Sequence, residues 1–146
     1  MSEPRAINQD RVNLFADATD DHQWIHVDLE RSRTGPFGGT IAHGYLTLAL
    51  VPSMLKECLA ITGARMGVNY GLNRLRFPAP LLVGARIRLG ARLNDVRRIA
   101  GGFQIIVGFT VLIANDVAHD SKPCAAGEAI YNYYESTDLT PLAVSP

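Results

Sequence analysis

The sequence has little of several features that mark particular protein classes. Only two of its 146 residues are cysteine, Cys58 and Cys124, and they form no CxxC pair, which argues against a disulfide scaffold and a zinc finger. Charged residues make up 19% of the chain and the formal net charge is zero, so neither a basic nucleic-acid module nor an acidic disordered tail is expected. No GxSxG motif, Walker loop or strand-borne GxGxxG is present, and an α/β-hydrolase is therefore disfavoured.

Residues 34–55 form a long run without Asp, Glu, Lys or Arg, which is long enough on paper to cross a bilayer. Glycine and proline fill residues 35–39, and the apolar remainder is short and contains His43. We therefore expect no membrane segment. The first ten residues are polar and lack the apolar stretch of a secretory signal, so a cytoplasmic location is expected.

The first part of the chain predicts two helices. Asn8 has the character of an N-cap, and apolar residues at helical spacing after it indicate a helix that ends near Asp20. A second helix is expected from residue 40 or 41 to about residue 59. It is apolar nearly all round, which indicates burial on most sides, and Pro52 should kink it.

After Gly63 the apolar residues recur with period two, which is typical of strands. Residues 102–114 are apolar on both faces, as expected near the middle of a sheet or at a subunit interface. Other strands are expected at residues 66–72, 73–77 and 86–93, and one ends at residues 130–134. This order predicts an α+β fold, a single domain over residues 1–146 in which a curved antiparallel sheet wraps around a long central apolar helix.

The densest polar cluster lies at residues 18–28, at the end of the first helix and in the loop after it. Asp21 and His26 are five residues apart and in a turn can converge on one water, as an acid/base pair that works near neutral pH. An Asp N-cap and a half-exposed structural histidine would leave the same pattern. His22 and His26 have the i, i+4 spacing of metal ligands, but zinc sites usually need a third well-placed ligand.

A second cluster, residues 36–48, is a glycine-rich loop that leads into the apolar helix. The N–H groups in the first turn of a helix are unpaired and attract negative charge. Gly44 has no side chain to block a ligand, so its N–H is placed to hold a thioester oxygen as it becomes an enolate. Alternatively, Gly39 and Gly44 only permit close helix packing.

Together and in this order, the two clusters resemble the MaoC-like family of hotdog-fold dehydratases. The hydratase motif of that family corresponds to residues 20–26 (Asp-Asp-His-Gln-Trp-Ile-His), and its Ala-His-Gly segment to residues 41–46 (Ile-Ala-His-Gly-Tyr-Leu). Residues 69–78 and 131–134 look like the subgroup with (R)-specific enoyl-CoA hydratases and nodulation protein N-like proteins. Asp20 stands where the family often has glycine, and Gln23-Trp24 replaces its common Asn-Pro; aspartate tolerates unusual backbone angles better than most residues.

The resemblance implies an (R)-specific enoyl-CoA hydratase, a hydro-lyase that adds water to trans-2-enoyl thioesters without a metal ion or redox cofactor. It makes Asp21 and His26 the catalytic pair and puts the Gly44 N–H at the oxyanion site. Side chains expected near the substrate are Gln23, His43, Tyr45, Tyr70 and Asn73. A non-catalytic acyl-thioester-binding protein and an acyl-CoA thioesterase stay as alternatives on the same fold.

The distribution of charge and the expected open edge of the sheet indicate which partners the protein binds. Residues 61–100 hold eight arginines and one acid, Asp95, which indicates either solvated strand faces or a rim that binds an anion. Given the resemblance, the phosphates of coenzyme A suit such a rim, with Arg74, Arg76 and Arg86 as candidates. A single hotdog sheet leaves an edge strand exposed, so we expect a homodimer with each active site near the interface, and no nucleic-acid or membrane partner.

Overall fold

Helices come first along the chain and long strands follow, which confirms the predicted α+β class. The structure is a computed structural model that describes residues 1–114 and 122–135, so parts of the predicted domain at 115–121 and 136–146 lie outside it. The elements are β1 (Arg5–Ala6), α1 (Gln9–Thr19), α2 (Trp24–Val27), α3 (Leu29–Arg33), α4 (Gly44–Leu55), β2 (Met66–Arg76), β3 (Arg86–Ile99), β4 (Gly102–Ile113) and β5 (Ala125–Tyr134).

The five strands form one antiparallel sheet in the order β1-β3-β4-β5-β2. The central position of β4 explains its apolar residues on both faces. On one face Ile105, Val107 and Val111 are buried in a core that also contains Val51 and Met54 of α4. A curled antiparallel sheet that packs one face on a central apolar helix is the predicted hotdog architecture.

Helix α4 is shorter at both ends than the helix predicted from residue 40 or 41 to about residue 59. It ends at Leu55, and it begins only after a segment in which Ile41 forms a β-bridge with Leu82. The Ala42 N–H donates to the Leu81 carbonyl at 2.8 Å, and the Val83 N–H donates to the Thr40 carbonyl at 2.9 Å. Because these backbone groups are hydrogen-bonded to another segment, they do not form the hydrogen bonds of a helix. In the part of the chain that the structure describes, no helix is long and apolar enough to cross a membrane.

Helix α4 is buried on most sides, as the sequence predicted, but one flank of it is open. Leu46, Val51 and Met54 are buried, but Tyr45 is 69% exposed and Ala49 is exposed as well. The exposed flank borders a groove whose other wall is β2. Strand β2 is itself a sheet edge and is exposed along almost its whole length. One side of the molecule therefore presents apolar surface from a helix and a strand together.

Strand β2 is continuous, although the sequence predicted two strands at residues 66–72 and 73–77. Its pairing with β5 shifts register between Asn69 and Gly71, and again between Asn73 and Arg76. Arg74, inside the second irregularity, has a φ of 55°. A bulge adds an unpaired residue and changes which face the following side chains meet. The alternation of apolar residues breaks at these points, and the break resembles a strand boundary.

Helix α1 begins and ends where the sequence predicted. The Asn8 side chain accepts a hydrogen bond from the Arg11 N–H at 3.1 Å and caps the helix. Asp20 follows the last helical residue with φ 57° and ψ 18°, in the left-handed region. Glycine adopts this conformation freely, and aspartate does so more easily than most other residues. The turn therefore keeps its geometry with an aspartate where the family often has glycine.

The conformation of Asp20 predicts an ordered series of stabilities. Asp20→Gly should leave the free energy of unfolding unchanged or raise it by up to about 1 kcal/mol. Asp20→Val should lower it by about 1–2 kcal/mol, because a β-branched side chain is strained at positive φ. Urea denaturation measures both values. Ala18→Val, at an exposed position of α1, is the control and should cost only about 0.5 kcal/mol; equal losses in the two valine variants would contradict the assignment.

Candidate active site

His26 is held in a defined orientation and protonation state. Its imidazole is buried, and Nδ1 lies 2.7 Å from the Ile41 carbonyl oxygen. A carbonyl only accepts hydrogen bonds, so Nδ1 carries the proton and Nε2 is left as the basic nitrogen. Burial lowers the pKa of His26, more strongly than the bond to Ile41 raises it. His26 therefore has the chemistry of a neutral base at physiological pH.

Asp21 lies beside His26, in the segment between α1 and α2. Its carboxylate is 55% exposed, so water reaches it freely. A carboxylate oxygen of Asp21 and ring nitrogens of His26 and His43 all lie within 4.8 Å of one another. The two side chains that the sequence predicted as a catalytic pair are thus brought together. At this separation one water molecule can contact both.

Side chains that sequence reasoning missed hold this arrangement in place. The Gln9 amide donates from Nε2 to the His26 carbonyl at 2.7 Å and accepts from the Thr40 hydroxyl at 2.7 Å. The Ile41 N–H donates to the Ile25 carbonyl at 3.0 Å. These bonds tie α1, α2 and the segment before α4 to one another. No sequence spacing reports them, because the partners are 16 to 31 residues apart.

Gly44 is the first residue of α4, where backbone N–H groups have no partner within the helix. It borders a pocket of about 320 Å³ that is also lined by His26, Phe37 and Phe77. The sequence predicted that a ligand reaches Gly44 without obstruction, but the Phe77 ring packs directly against this residue. A Cβ on Gly44 would lie 2.9 Å from the Phe77 ring, which is closer than side chains pack. The glycine therefore permits close packing against Phe77 at the pocket, whereas Gly39 has no such tight contact.

His43 was expected near the substrate, but the structure places it behind His26. It is only 2% exposed, and its ring stacks on that of His26 with centroids 3.8 Å apart. The nitrogen lone pair that binds a metal ion lies in the plane of its imidazole ring. The planes of the His26 and His43 rings are inclined by only 26°, so their lone pairs do not point toward a common position. A metal ion at about 2.1 Å from both rings would lie far outside each plane. The cluster of Asp21, His26 and His43 is therefore poorly shaped for a shared metal ion.

The other histidine of the motif takes no part in this cluster. His22 is exposed, and its Nε2 lies 2.8 Å from an Asp17 carboxylate oxygen. This hydrogen bond raises the pKa of His22. His22 and His26 therefore bond to different partners, Asp17 and the Ile41 carbonyl, and do not act together as an i, i+4 pair of metal ligands.

The remaining substrate-binding predictions have different outcomes. Gln23 is exposed beside the pair at the N-terminus of α2, and its side chain does not cap that helix. Tyr45 is exposed next to Gly44 and packs edge-on against Phe77, with centroids 6.0 Å apart. Tyr70 is 60% exposed and lines the groove between α4 and β2 rather than the pocket of His26.

Asn73 lies on the outer face of the sheet, and its contact with the substrate stays a prediction. Its Nδ2 donates to Glu128 at 3.4 Å, and Glu128 also accepts from Asn94 at 3.1 Å. Asn94 lies over Gly108, on the sheet face opposite the buried side of β4. The register shift between Asn69 and Gly71 sets Asn73 opposite Glu128, on the outer face of the sheet. Of the arginines considered for phosphates, Arg74, Arg76 and Arg86 are all exposed.

Comparisons with known proteins show the family of this chain. Residues 1–115 match the family model described as the MaoC like domain. The chain is 48% identical over 127 residues to 3-hydroxyacyl-thioester dehydratase Z of Mycobacterium tuberculosis, covering 87% of this chain and 82% of that protein. It is 40% identical over 124 residues to nodulation protein N of Rhizobium leguminosarum bv. viciae, covering 84% and 75% of the two chains.

Solved structures share the fold at much lower identity. R-hydratase PhaJ1 from Pseudomonas aeruginosa superposes with a TM-score of 0.73 at 21% identity, over 99% of this chain and 90% of that one. The (R)-hydratase from A. caviae gives a TM-score of 0.73 at 18% identity, over 90% and 91% of the two chains. The family match and the relatives together confirm the resemblance seen in the sequence: the chain belongs to the MaoC-like dehydratase family of hotdog-fold hydro-lyases.

Proposed function

We propose that this chain catalyses the reversible addition of water to trans-2-enoyl thioesters, giving (R)-3-hydroxyacyl thioesters. The observation that carries the proposal is the pairing of an exposed Asp21 carboxylate with a buried His26 whose free nitrogen is Nε2. A protein that only binds an acyl group has no need of this acid/base pair. The name of the 48% identical relative, a 3-hydroxyacyl-thioester dehydratase, supports the same reaction class.

In the proposed mechanism Asp21 and His26 hold one water molecule. His26 accepts a proton at Nε2, and the water oxygen attacks the β-carbon of the double bond. The electron pair of that bond moves into the thioester as an enolate. The α-carbon then takes a proton from the pair, so that one water is added and both residues return to their starting states. General acid/base catalysis of this kind contributes about 10²–10⁴ in rate.

The negative charge of the enolate is stabilised at the N-terminus of α4. The Gly44 N–H and the dipole of the helix both favour an anion there, and the pocket of His26 reaches this residue. A donor of this type is worth about 10²–10³ in rate. The thioester itself acidifies the α-carbon, so the proposal includes no metal ion or redox cofactor, in keeping with the stacked geometry of His26 and His43.

We also propose that two copies of the chain associate through the β2 edge. The substrates of the two sites in this dimer are proposed to be coenzyme A thioesters. Strand β2 has unpaired backbone groups on its outer edge, and Val68, Tyr70 and Leu72 expose 42%, 60% and 44% of their area. Tyr45 and Ala49 of α4 continue this surface. Pairing two β2 strands would satisfy the backbone groups of this edge and cover Tyr70 and Leu72, which line the groove beside α4.

The proposed reaction predicts the effect of removing either member of the pair. Asp21→Asn and His26→Ala should each lower kcat for hydration of crotonyl-CoA by about 10²–10⁴, since each removes a proton-transferring group. Loss of the enoyl-thioester absorbance measures the rate. His22→Ala, which changes an exposed histidine of the same segment, is the matched control. Unchanged rates in both folded variants would refute the reaction, and release of free thiol from a saturated acyl-CoA would indicate a thioesterase.

The oxyanion assignment predicts a difference between two substitutions of Gly44. Both Gly44→Ala and Gly44→Pro place a Cβ against Phe77, but only proline removes the N–H. Proline is tolerated at the first residue of a helix, and His43 before it has the extended ψ of 136° that proline requires. Gly44→Pro should therefore lower kcat by about 10²–10³ relative to Gly44→Ala. Equal kcat values for the two variants would exclude the N–H from catalysis.

The proposed interface predicts which edge controls association. Leu72→Lys on β2 should convert a dimer to a monomer at micromolar concentration, as measured by light scattering, because a buried charge opposes pairing. Val96→Lys on β3 changes a residue with a similar exposed fraction, 53%, and should leave the dimer intact. A monomeric wild-type protein, or dissociation by Val96→Lys alone, would contradict the interface.

A further inference from the structure

His43 is a buried polar residue for which the proposed reaction has no direct use. It is the N-cap residue of α4 and is 2% exposed, so a substrate cannot reach it. The centroid of its ring lies 3.8 Å from that of His26 and 5.0 Å from that of Phe15. A buried polar ring that packs on two aromatic rings needs a reason to be histidine rather than phenylalanine, because burial of a polar group without compensation is costly.

The hydrogen bond of His43 supplies that reason. Its Nε2 lies 2.9 Å from the backbone carbonyl oxygen of Asp21, which can only accept, so Nε2 carries the proton. The other nitrogen, Nδ1, is buried and has no partner among the residues that the structure describes. The neutral ring with its proton on Nε2 satisfies its one donor, whereas a second proton on Nδ1 would be buried without an acceptor.

Asp21 lies in a segment that has no regular secondary structure to hold it. It follows a residue in the left-handed region, and its side chain is 55% exposed. The Asp21 carboxylate oxygen Oδ2 is 3.9 Å from the same His43 nitrogen. The bond to His43 therefore fixes the main chain that carries the carboxylate, and the stacking contact fixes the ring of its catalytic partner.

We propose that His43 is a positioning residue that sets the distance and angle between the Asp21 carboxylate and His26 Nε2. One side chain contacts both members of the pair, one through a hydrogen bond and the other through its ring face. The role in catalysis depends on the proposed hydratase reaction, while the geometric role does not. Misplacement of a reacting group by about 1 Å can cost about 10²-fold in rate, which gives the size of effect to expect.

Two substitutions separate the hydrogen bond from the packing. His43→Phe keeps the stacked ring and removes the donor, and His43→Gln restores a donor near the position of Nε2 without the ring. His43→Phe should lower kcat for crotonyl-CoA by about 10–100-fold and leave KM nearly unchanged, with an unchanged or higher urea midpoint. His43→Gln should recover part of kcat. His22→Phe, on an exposed histidine of the same segment, is the control and should retain the wild-type rate.

Nuclear magnetic resonance tests the geometry independently of activity. In the wild-type protein, ¹⁵N shifts of the His43 ring should show a proton on Nε2 and none on Nδ1. Backbone order parameters at Asp21 and His22 should fall in His43→Phe and recover in His43→Gln. The opposite tautomer, or unchanged order parameters together with an unchanged kcat, would overturn the proposal. If the wild-type protein hydrates no enoyl thioester, the proposed function fails, and the tautomer and order parameters still decide the role of His43.

Discussion

The two hydrogen bonds of Ile41 hold the candidate site together. Its N–H donates to the Ile25 carbonyl, and its own carbonyl accepts from His26 Nδ1. The first bond joins the segment before α4 to α2, and the second fixes the imidazole in one tautomer. Because both use backbone groups of the same residue, the position of α4 and the basicity of His26 are set together. Any movement of this segment would change the site and the start of the helix at once.

Much of the fold follows from local sequence signals, and the differences have identifiable tertiary causes. The Asn8 cap, the end of α1 at Asp20 and the central, doubly apolar β4 could be predicted, since each depends on residue type and short spacing. The start of α4 could not, because residues 40–42 pair with a segment some 40 residues later. Helical propensity is a weak preference that such pairing overrides.

In the candidate site, too, the features that depend on short sequence spacing could be predicted, and those that depend on tertiary contacts could not. The pairing of Asp21 and His26 was visible as spacing within one turn, and Gly44 as a glycine at a helix start. The face of the sheet on which Asn73 lies could not be predicted, because a single register shift in β2 reverses the faces of the strand. The burial of His43 depends on Phe15 of α1 and His26 of α2, which are far from it along the chain, so no local pattern reports it.

The contact between Gly44 and Phe77 has a consequence for how this site can change over evolutionary time. A side chain at position 44 meets the Phe77 ring at 2.9 Å, so a mutation there is unfavourable while the ring is present. A smaller residue at position 77 would relieve that conflict and enlarge the pocket beside His26. The order of substitutions is therefore constrained: position 77 must change before position 44 becomes free to vary, and related enzymes with a larger residue at 44 should carry a smaller one at 77.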